Sequence, residues 1–257
     1  MIGFTQNFLH NQALVHKLIQ QAQLPKGSTV LEIGPGKGII TAGLAEQVGS
    51  QGRVIAVELD PKLVSALQTR FQATPQVSIL SQDILTYPLE QLPKDYRVFS
   101  NVPFNITSTL LEYLFTPPSQ PIQAHLILQV DGLIAEGGGE TFKSLLLAPL
   151  YQIRLGHHFA RTDFTPQPRV DTALFTFDPH VTPRIDPAQY ALYKDFLALI
   201  AKDRVGEGVW KKLFSAGQLD QLRAQTGLIG GRGLKTQSAQ AVIAAFEQFT
   251  RFGKVAL

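Results

Sequence analysis

The sequence predicts an α/β fold: a Rossmann-like, mainly parallel sheet with helices on both faces, followed by a small all-helical C-terminal domain. Three observations carry this. Short apolar β-rich runs alternate with segments of helical period through the first two thirds of the chain. A glycine loop, "GPGKG", joins the first of these runs to a helix. Beyond Pro179, Pro183 and Pro187 the strand signal stops.

In chain order, "QALVHKLIQQAQ" has apolar residues at helical spacing, and "STVLEIG" is the first strand. "GIITAGLAEQVG" is a helix, "RVIAVEL" a strand, "PKLVSALQTRFQ" a helix and "VSILSQD" a strand. "RVFSNV" follows as a strand, "ITSTLLEYLF" as a helix and "AHLILQV" as a strand. After "SLLLAPLYQIRLG", the stretches "GHHFART" and "ALFTFDPH" flank a proline-rich turn, which predicts an antiparallel pair at the sheet edge. "QYALYKDFLALIAKD", "GVWKKLFSAGQLDQLRAQTG" and "SAQAVIAAFEQFTRF" are then three helices. The expected boundary divides residues 1–182 from residues 183–257. Glu136 to Glu140 and Gly206 to Gly208 are expected as loops, and there is no internal repeat.

Hydrophobic residues make up 44% of the chain and charged residues 17%, enough for a sizeable core and too apolar for wholesale disorder. No run approaches the roughly 18 apolar residues of a membrane span, and "MIGFTQNFLHNQ" has no pattern of a secretion signal. The absence of cysteine excludes disulfides, thiolate nucleophiles and cysteine-ligated metals, and fits a cytoplasmic enzyme. Charge is unevenly spread. Residues 1–183 hold 12 Lys+Arg against 14 Asp+Glu, whereas residues 184–257 hold 11 against 6, a balance of +5 that points to an anionic partner such as nucleic acid.

Gly34, Gly36 and Gly38 fall between a strand and a helix, where glycine lets the backbone turn tightly and approach a ligand. Glu58, with Leu59 beside it, ends the next strand, where a carboxylate suits the two hydroxyls of a ribose. These features fit NAD or S-adenosylmethionine. The dinucleotide fingerprint requires a third glycine where this chain has Ile39. Glu32 adds a carboxylate near the place of a cationic cofactor, Asp83 can accept from an adenine amine, and Ile84 can cover the base. S-adenosylmethionine is therefore preferred.

"SNVPFNIT" ends a strand on the same edge. Asn101 offers an amide oxygen, Pro103 fixes the carbonyl before it, and Phe104 can stack on a base. An exocyclic amine is a poor nucleophile because its lone pair is delocalised; two acceptors for its N–H groups favour a pyramidal nitrogen facing a methyl donor. His157 and His158 adjoin in a strand and face opposite ways, so no metal site is expected there. Trp210 is expected in the core.

"TQNFL", "LEIGPGKG", "VELD", "QDIL", "SNVPFNIT" and "FTPQPRVDTAL" together resemble the ribosomal RNA adenine N6-dimethyltransferases, over residues 5 to 174. That resemblance implies a class I methyltransferase domain, S-adenosyl-L-methionine as cofactor and ribosomal RNA as partner. It maps cofactor contacts onto Asn7, Leu9, Gly34, Glu58, Asp83 and Asn101, and the Asn-x-Pro-aromatic motif onto Asn101, Pro103 and Phe104. Within the family, "VWKKLFSAGQLDQL", the phenylalanine-rich last helix and Val102 are similar to the Erm-type enzymes of 23S rRNA. The expectation is thus N6-methylation of a 23S adenine with macrolide resistance; the alternative is a KsgA-type enzyme acting on 16S rRNA in small-subunit maturation. The basic C-terminal domain is expected to bind RNA through Arg204, Lys211 and Lys212, in a monomer without membrane attachment. Two departures reduce the positive surface expected near the active site: only five residues precede Gln6, and "DGLIAEGGGE" stands where many relatives are basic. Competing readings are a nonenzymatic RNA-binding assembly factor, disfavoured by the intact Asn101 motif and Glu58, and an NAD-dependent oxidoreductase, disfavoured by Ile39.

Overall fold

The computed structural model describes residues 7–135, 139–202, 208–226 and 237–252. By contacts the chain forms two units. One takes Met1–Val130 and Arg154–Asp178; the other takes Asp131–Ile153 and Pro179–Leu257.

The first unit is built on a parallel sheet. Its strands are β2 (Thr29–Ile33), β3 (Arg53–Glu58), β4 (Val77–Ser81), β5 (Arg97–Asn101) and β6 (Gln123–Gln129). Helices α1 (Gln12–Gln21), α2 (Ile39–Val48), α3 (Pro61–Phe71) and α4 (Thr107–Phe115) accompany them. β2 pairs in parallel with β3 on one side and β5 on the other, β3 continues to β4, and β5 to β6. The strand order reverses direction between β2 and β5, which opens a crevice beyond the carboxyl ends of those strands. Pairing of β2 with β5 runs only through Val30↔Arg97 and Leu31↔Val98. Beyond it the buried Ser100 hydroxyl donates to the Ile33 carbonyl, so the parting strands leave no orphan acceptor there.

The antiparallel edge is present. β9 (Thr172–Pro179) runs antiparallel to β6, and β7 (Tyr151–Phe159) lies outside it. The exposed Arg154 on β7 pairs with Asp178 on β9. One feature without a sequence signal is a separate two-stranded sheet, β1 (Phe8–Leu9) antiparallel to β8 (Phe164–Thr165). Two-residue strands carry no periodicity to read. Local chemistry ends the helices: Asn11 caps α1 through Leu14 N, and Asp60 caps α3 through Lys62 N with Pro61 in the first turn.

In the second unit, α5 (Phe142–Leu147), α6 (Tyr190–Lys202), α7 (Gly208–Leu213), α8 (Ala216–Thr226) and α9 (Ala239–Phe252) surround an aromatic core. Phe196 meets Trp210, Phe246 and Phe249, and Trp210 stacks on Phe214. Tyr193 and Tyr190 donate from α6 to the Leu145 and Leu146 carbonyls of α5. Those bonds account for the grouping of residues 131–153 with the helices, whereas the sequence reading placed them before its boundary. The long expected helix over residues 208–227 is two, because Ser215 and Gln218 form a reciprocal cap: Ser215 N donates to Gln218 Oε1 and Gln218 N to Ser215 Oγ. Among the described residues no helix is long and apolar enough to cross a membrane, and no group of three potential metal ligands occurs.

Candidate active site

Two adjoining cavities open at the crevice, and Gly34 lines both. The larger, about 580 Å³ with its mouth, is lined by Ile33, Gly34, Val57, Glu58, Leu59, Asp60, Gln82, Asp83, Ile84, Pro103, Asn105 and Ile106. The smaller, about 340 Å³, is lined by Asn7, Phe8, Gly34, Asn101, Val102, Pro103 and Phe104. The loop between them requires glycine at two points. Gly34 has φ +62°, and a Cβ on it would lie 3.2 Å from Pro103; Gly36 has φ +57°, and a Cβ on it would meet the Phe8 ring at 2.7 Å.

The acidic residues at the strand ends differ in how they are satisfied. Glu58 is 2% exposed. Its Oε1 accepts from Leu59 N and Asp60 N, and its Oε2 from Gly36 N, so it ties the glycine loop to the end of β3. A carboxylate has about four acceptor sites, so one remains. Asp83 uses Oδ1 to cap the turn after β4, accepting from Leu85 N, and lines the larger cavity. Ile84 is buried beside it.

Glu32 does not join them. It is 1% exposed and lies in neither lining. Neither of its carboxyl oxygens has a hydrogen-bond partner. Burial pushes its carboxyl up to about 8, and Glu58 adds to the rise. Thr41 acts in the opposite direction, yet its hydroxyl is also unpartnered, outside hydrogen-bond geometry. The sequence expectation of a carboxylate facing a cationic ligand is corrected here to a buried group that holds its proton at neutral pH.

Asn101 ends β5 in the smaller pocket. Its Nδ2 donates to the Asn7 carbonyl at 2.8 Å, which fixes the amide. That leaves Oδ1 buried and without a partner. The Val102 amide donates to the Ile127 carbonyl, and the Pro103 carbonyl accepts from Ile106 N, so this turn is held on both sides. Phe104 begins a short 3-10 turn into α4.

Of the remaining sequence candidates, Leu59 lines the larger cavity and Asn7 the smaller. Gly36 lines neither and enters through its amide bond to Glu58. Leu9 is 4% exposed and packed in the hydrophobic core, because β1 turns Phe8 toward the pocket and Leu9 away from it. Phe8 is a lining residue that sequence reasoning did not find, as are Ile33, Val57, Asp60, Gln82, Asn105 and Ile106 of the larger cavity; two residues of strand give no alternation that would have marked Phe8. Lys211 and Lys212 are exposed in the last turn of α7, and Arg204 lies outside the described residues. His157 and His158 are both exposed on β7. Trp210 is in the core, as expected.

The residues present fit S-adenosylmethionine. The larger cavity has carboxylates at two strand ends and a backbone cradle that a Cβ would fill. The orphan Asn101 Oδ1 lies next to it.

The model of the family described as "Ribosomal RNA adenine dimethylase" matches residues 2–250. The ribosomal RNA small subunit methyltransferase A of Pseudomonas putida is 32% identical over 185 residues, 69% of this chain and 68% of that protein. The protein of the same name from Photorhabdus laumondii is 34% identical over 186 residues, 69% and 67% of the two chains. In structure, the 23S rRNA methyltransferase ErmE has a TM-score of 0.81 at 21% identity, covering 95% of this chain and 100% of its own. A Plasmodium falciparum dimethyladenosine transferase has 0.67 at 16%, covering 95% and 98%. The expectation of an Erm-type 23S enzyme with macrolide resistance is overturned by these relatives, which carry the small-subunit name; the likeness to ErmE is one of fold. The features that favoured Erm have a packing explanation. Trp210, Phe214, Phe246 and Phe249 build the helical core, and Val102 is 2% exposed. With the family matched over nearly the whole chain and the crevice suited to its cofactor, this chain belongs to the ribosomal RNA adenine dimethylase family and is an S-adenosylmethionine-dependent rRNA adenine methyltransferase.

Proposed function

We propose that this protein methylates the N6 atom of adenine in small-subunit ribosomal RNA, the 16S type, during subunit maturation, with dimethylation as the endpoint. The observation that carries the chemistry is the orphan Oδ1 of Asn101, buried in a pocket beside the cofactor crevice on an amide whose Nδ2 donates to the Asn7 carbonyl. The target rests on the small-subunit name of relatives 32–34% identical.

S-adenosylmethionine, when bound, would supply an electrophilic methyl carbon on a sulfonium, open to in-line attack by an amine nitrogen as the carbon–sulfur bond breaks and the sulfur leaves as the neutral thioether. In this reading Glu58 and Asp83 take the ribose and the adenine amine of the cofactor, Ile84 covers its base, and Gly34 lets its chain pass close. Glu58 contributes twice, since the same carboxylate holds the Gly36 amide. Asn101 Oδ1 and the Val102 carbonyl accept the two N–H groups of the target adenine, drawing its nitrogen toward the pyramidal form. Phe104 stacks on the base, which has to leave its own stack to enter. Neither cavity lining holds a histidine or lysine, and none is needed, because the methylated nitrogen releases its proton to water.

RNA contacts by Lys211, Lys212 and Arg204, a catalytic domain of residues 1–182 with an RNA-binding domain of 183–257, and action as a cytoplasmic monomer complete the proposal. The deciding experiment is transfer of labelled methyl groups to undermethylated small and large subunits, with the products mapped by mass. Label at 16S adenines, lost in Asn101→Ala, is the expected result. Label confined to 23S rRNA, or none in either RNA, contradicts the proposal.

A further inference from the structure

Among the described residues, three arginines are neutralised by a neighbouring carboxylate: Arg154 pairs with Asp178, Arg161 with Asp171 and Arg223 with Asp220. Two cations beside the glycine loop are arranged differently, and the first of them reaches the smaller pocket. Lys37, exposed on the glycine loop, holds its Nζ 5.4 Å from the centre of the Phe8 ring, and Phe8 is a wall of the pocket that contains Asn101 and Phe104. Arg70, exposed at the end of α3, donates from its guanidinium to the Lys37 carbonyl and lies over the Phe71 ring. Neither forms an ion pair among the described residues. The carboxylates in this part of the chain are engaged elsewhere: Glu58 holds three backbone amides, and Asp60 caps α3.

A nucleotide whose base occupies the pocket leaves its two phosphates at the rim. Aromatic rings hold these cations in place without neutralising them, which suits a monovalent oxyanion arriving there. We propose that Lys37 and Arg70 form a phosphate clamp on the catalytic unit, gripping the RNA backbone next to the extruded adenine. Phe8 spaces the clamp from the base. The inference rests on the adenine-methylating reading of the same pocket and adds a contact surface separate from the C-terminal lysines.

The test uses the full chain with a synthetic stem–loop RNA containing unpaired adenines, and undermethylated small subunits as methyl acceptor. Lys37→Gln and Arg70→Gln should each weaken stem–loop binding about 3- to 10-fold at 0.1 M salt. Each should also reduce the slope of log affinity against log salt by about 0.7 to 0.9, the value for one phosphate contact. Lys37→Arg should keep the slope. Calorimetric affinity for S-adenosylmethionine should stay within about twofold, and single-turnover methylation at saturating subunits should persist. An unchanged salt slope in both glutamine variants overturns the clamp, as does a loss confined to cofactor affinity. If the unaltered protein methylates neither subunit, the adenine-methylating reading itself fails; if it methylates normally while the slopes stay unchanged, only the clamp does.

Discussion

Glu58 and Asn101 end two strands of one sheet, on the same edge, on either side of Gly34, yet their polar atoms are in opposite states. Glu58 has three backbone donors; Asn101 Oδ1 has none. The first is a residue that builds its own site and has one acceptor position left over for a ligand. The second is complete only when something outside the protein donates to it. A buried acceptor without a partner costs roughly 1–3 kcal/mol, and a donating substrate can recover that. Being an orphan is not sufficient by itself, since Glu32, Thr41, His125 and Gln248 also carry buried unpartnered atoms. Of these residues, Asn101 is the one that lines either cavity at the crevice.

The largest expected effect comes from Glu32, an orphan outside both cavities. Glu32 is protonated in the folded protein up to about pH 8, whereas its unfolded value is near 4.5. Between those values unfolding releases a proton, so this group's contribution to stability is full below pH 4.5, falls as pH rises and is gone above about 8. Glu32→Gln should therefore gain on the unaltered protein across pH 4.5–8, by up to a few kcal/mol. Denaturant melts at several pH values read this directly, with cofactor affinity within about threefold. A parallel pH dependence in the two proteins breaks the contrast between Glu32 and Asn101.

Glu58→Ala comes next. Losing a charge-assisted bond of roughly 1.5–3 kcal/mol should weaken S-adenosylmethionine binding about 10- to 160-fold, and the freed amides of Gly36, Leu59 and Asp60 should also lower the melting temperature. An unchanged calorimetric affinity would show that Glu58 supports the loop and nothing more. Phe104→Ala should reduce kcat/KM for RNA by the roughly 1–3 kcal/mol of one stacked base while sparing the cofactor. Equal losses in both would place Phe104 in the cofactor cleft. Smallest is the change of Lys211 and Lys212 to Glu, which should weaken RNA binding and flatten its salt dependence without affecting cofactor affinity. An unaltered slope would leave them as a solvated helix face.

The strands and most helices were legible because long apolar runs and helical spacing report burial directly. The glycine loop and the strand-end acids were legible because their spacing follows from strand–turn–helix geometry. What was not legible has specific causes. The contact from Asn7 to Asn101 uses a backbone carbonyl, which is the same for every residue type. Leu9 and Phe8 exchanged roles because a two-residue strand shows no alternation of its own. Glu32 stands one residue before the end of β2, in register with Ala56 and not with Glu58, and only the fold shows that it packs beside Thr41 of α2 and outside both cavities. The RNA target was not legible because Trp210, Phe214, Phe246 and Phe249 pack a helical core, which needs aromatic residues whatever the target.

In the proposed reaction Asn101 Oδ1 is completed by the target amine. The most direct measurement is single-turnover methyl transfer by Asn101→Ala on saturating undermethylated small subunits, with S-adenosylmethionine affinity measured on the same preparation. A loss of at least about 100-fold in the transfer rate, with a much smaller change in cofactor affinity, is the predicted result. Transfer within a few-fold of the unaltered protein, or a collapse of cofactor affinity that accounts for the whole loss, would contradict it.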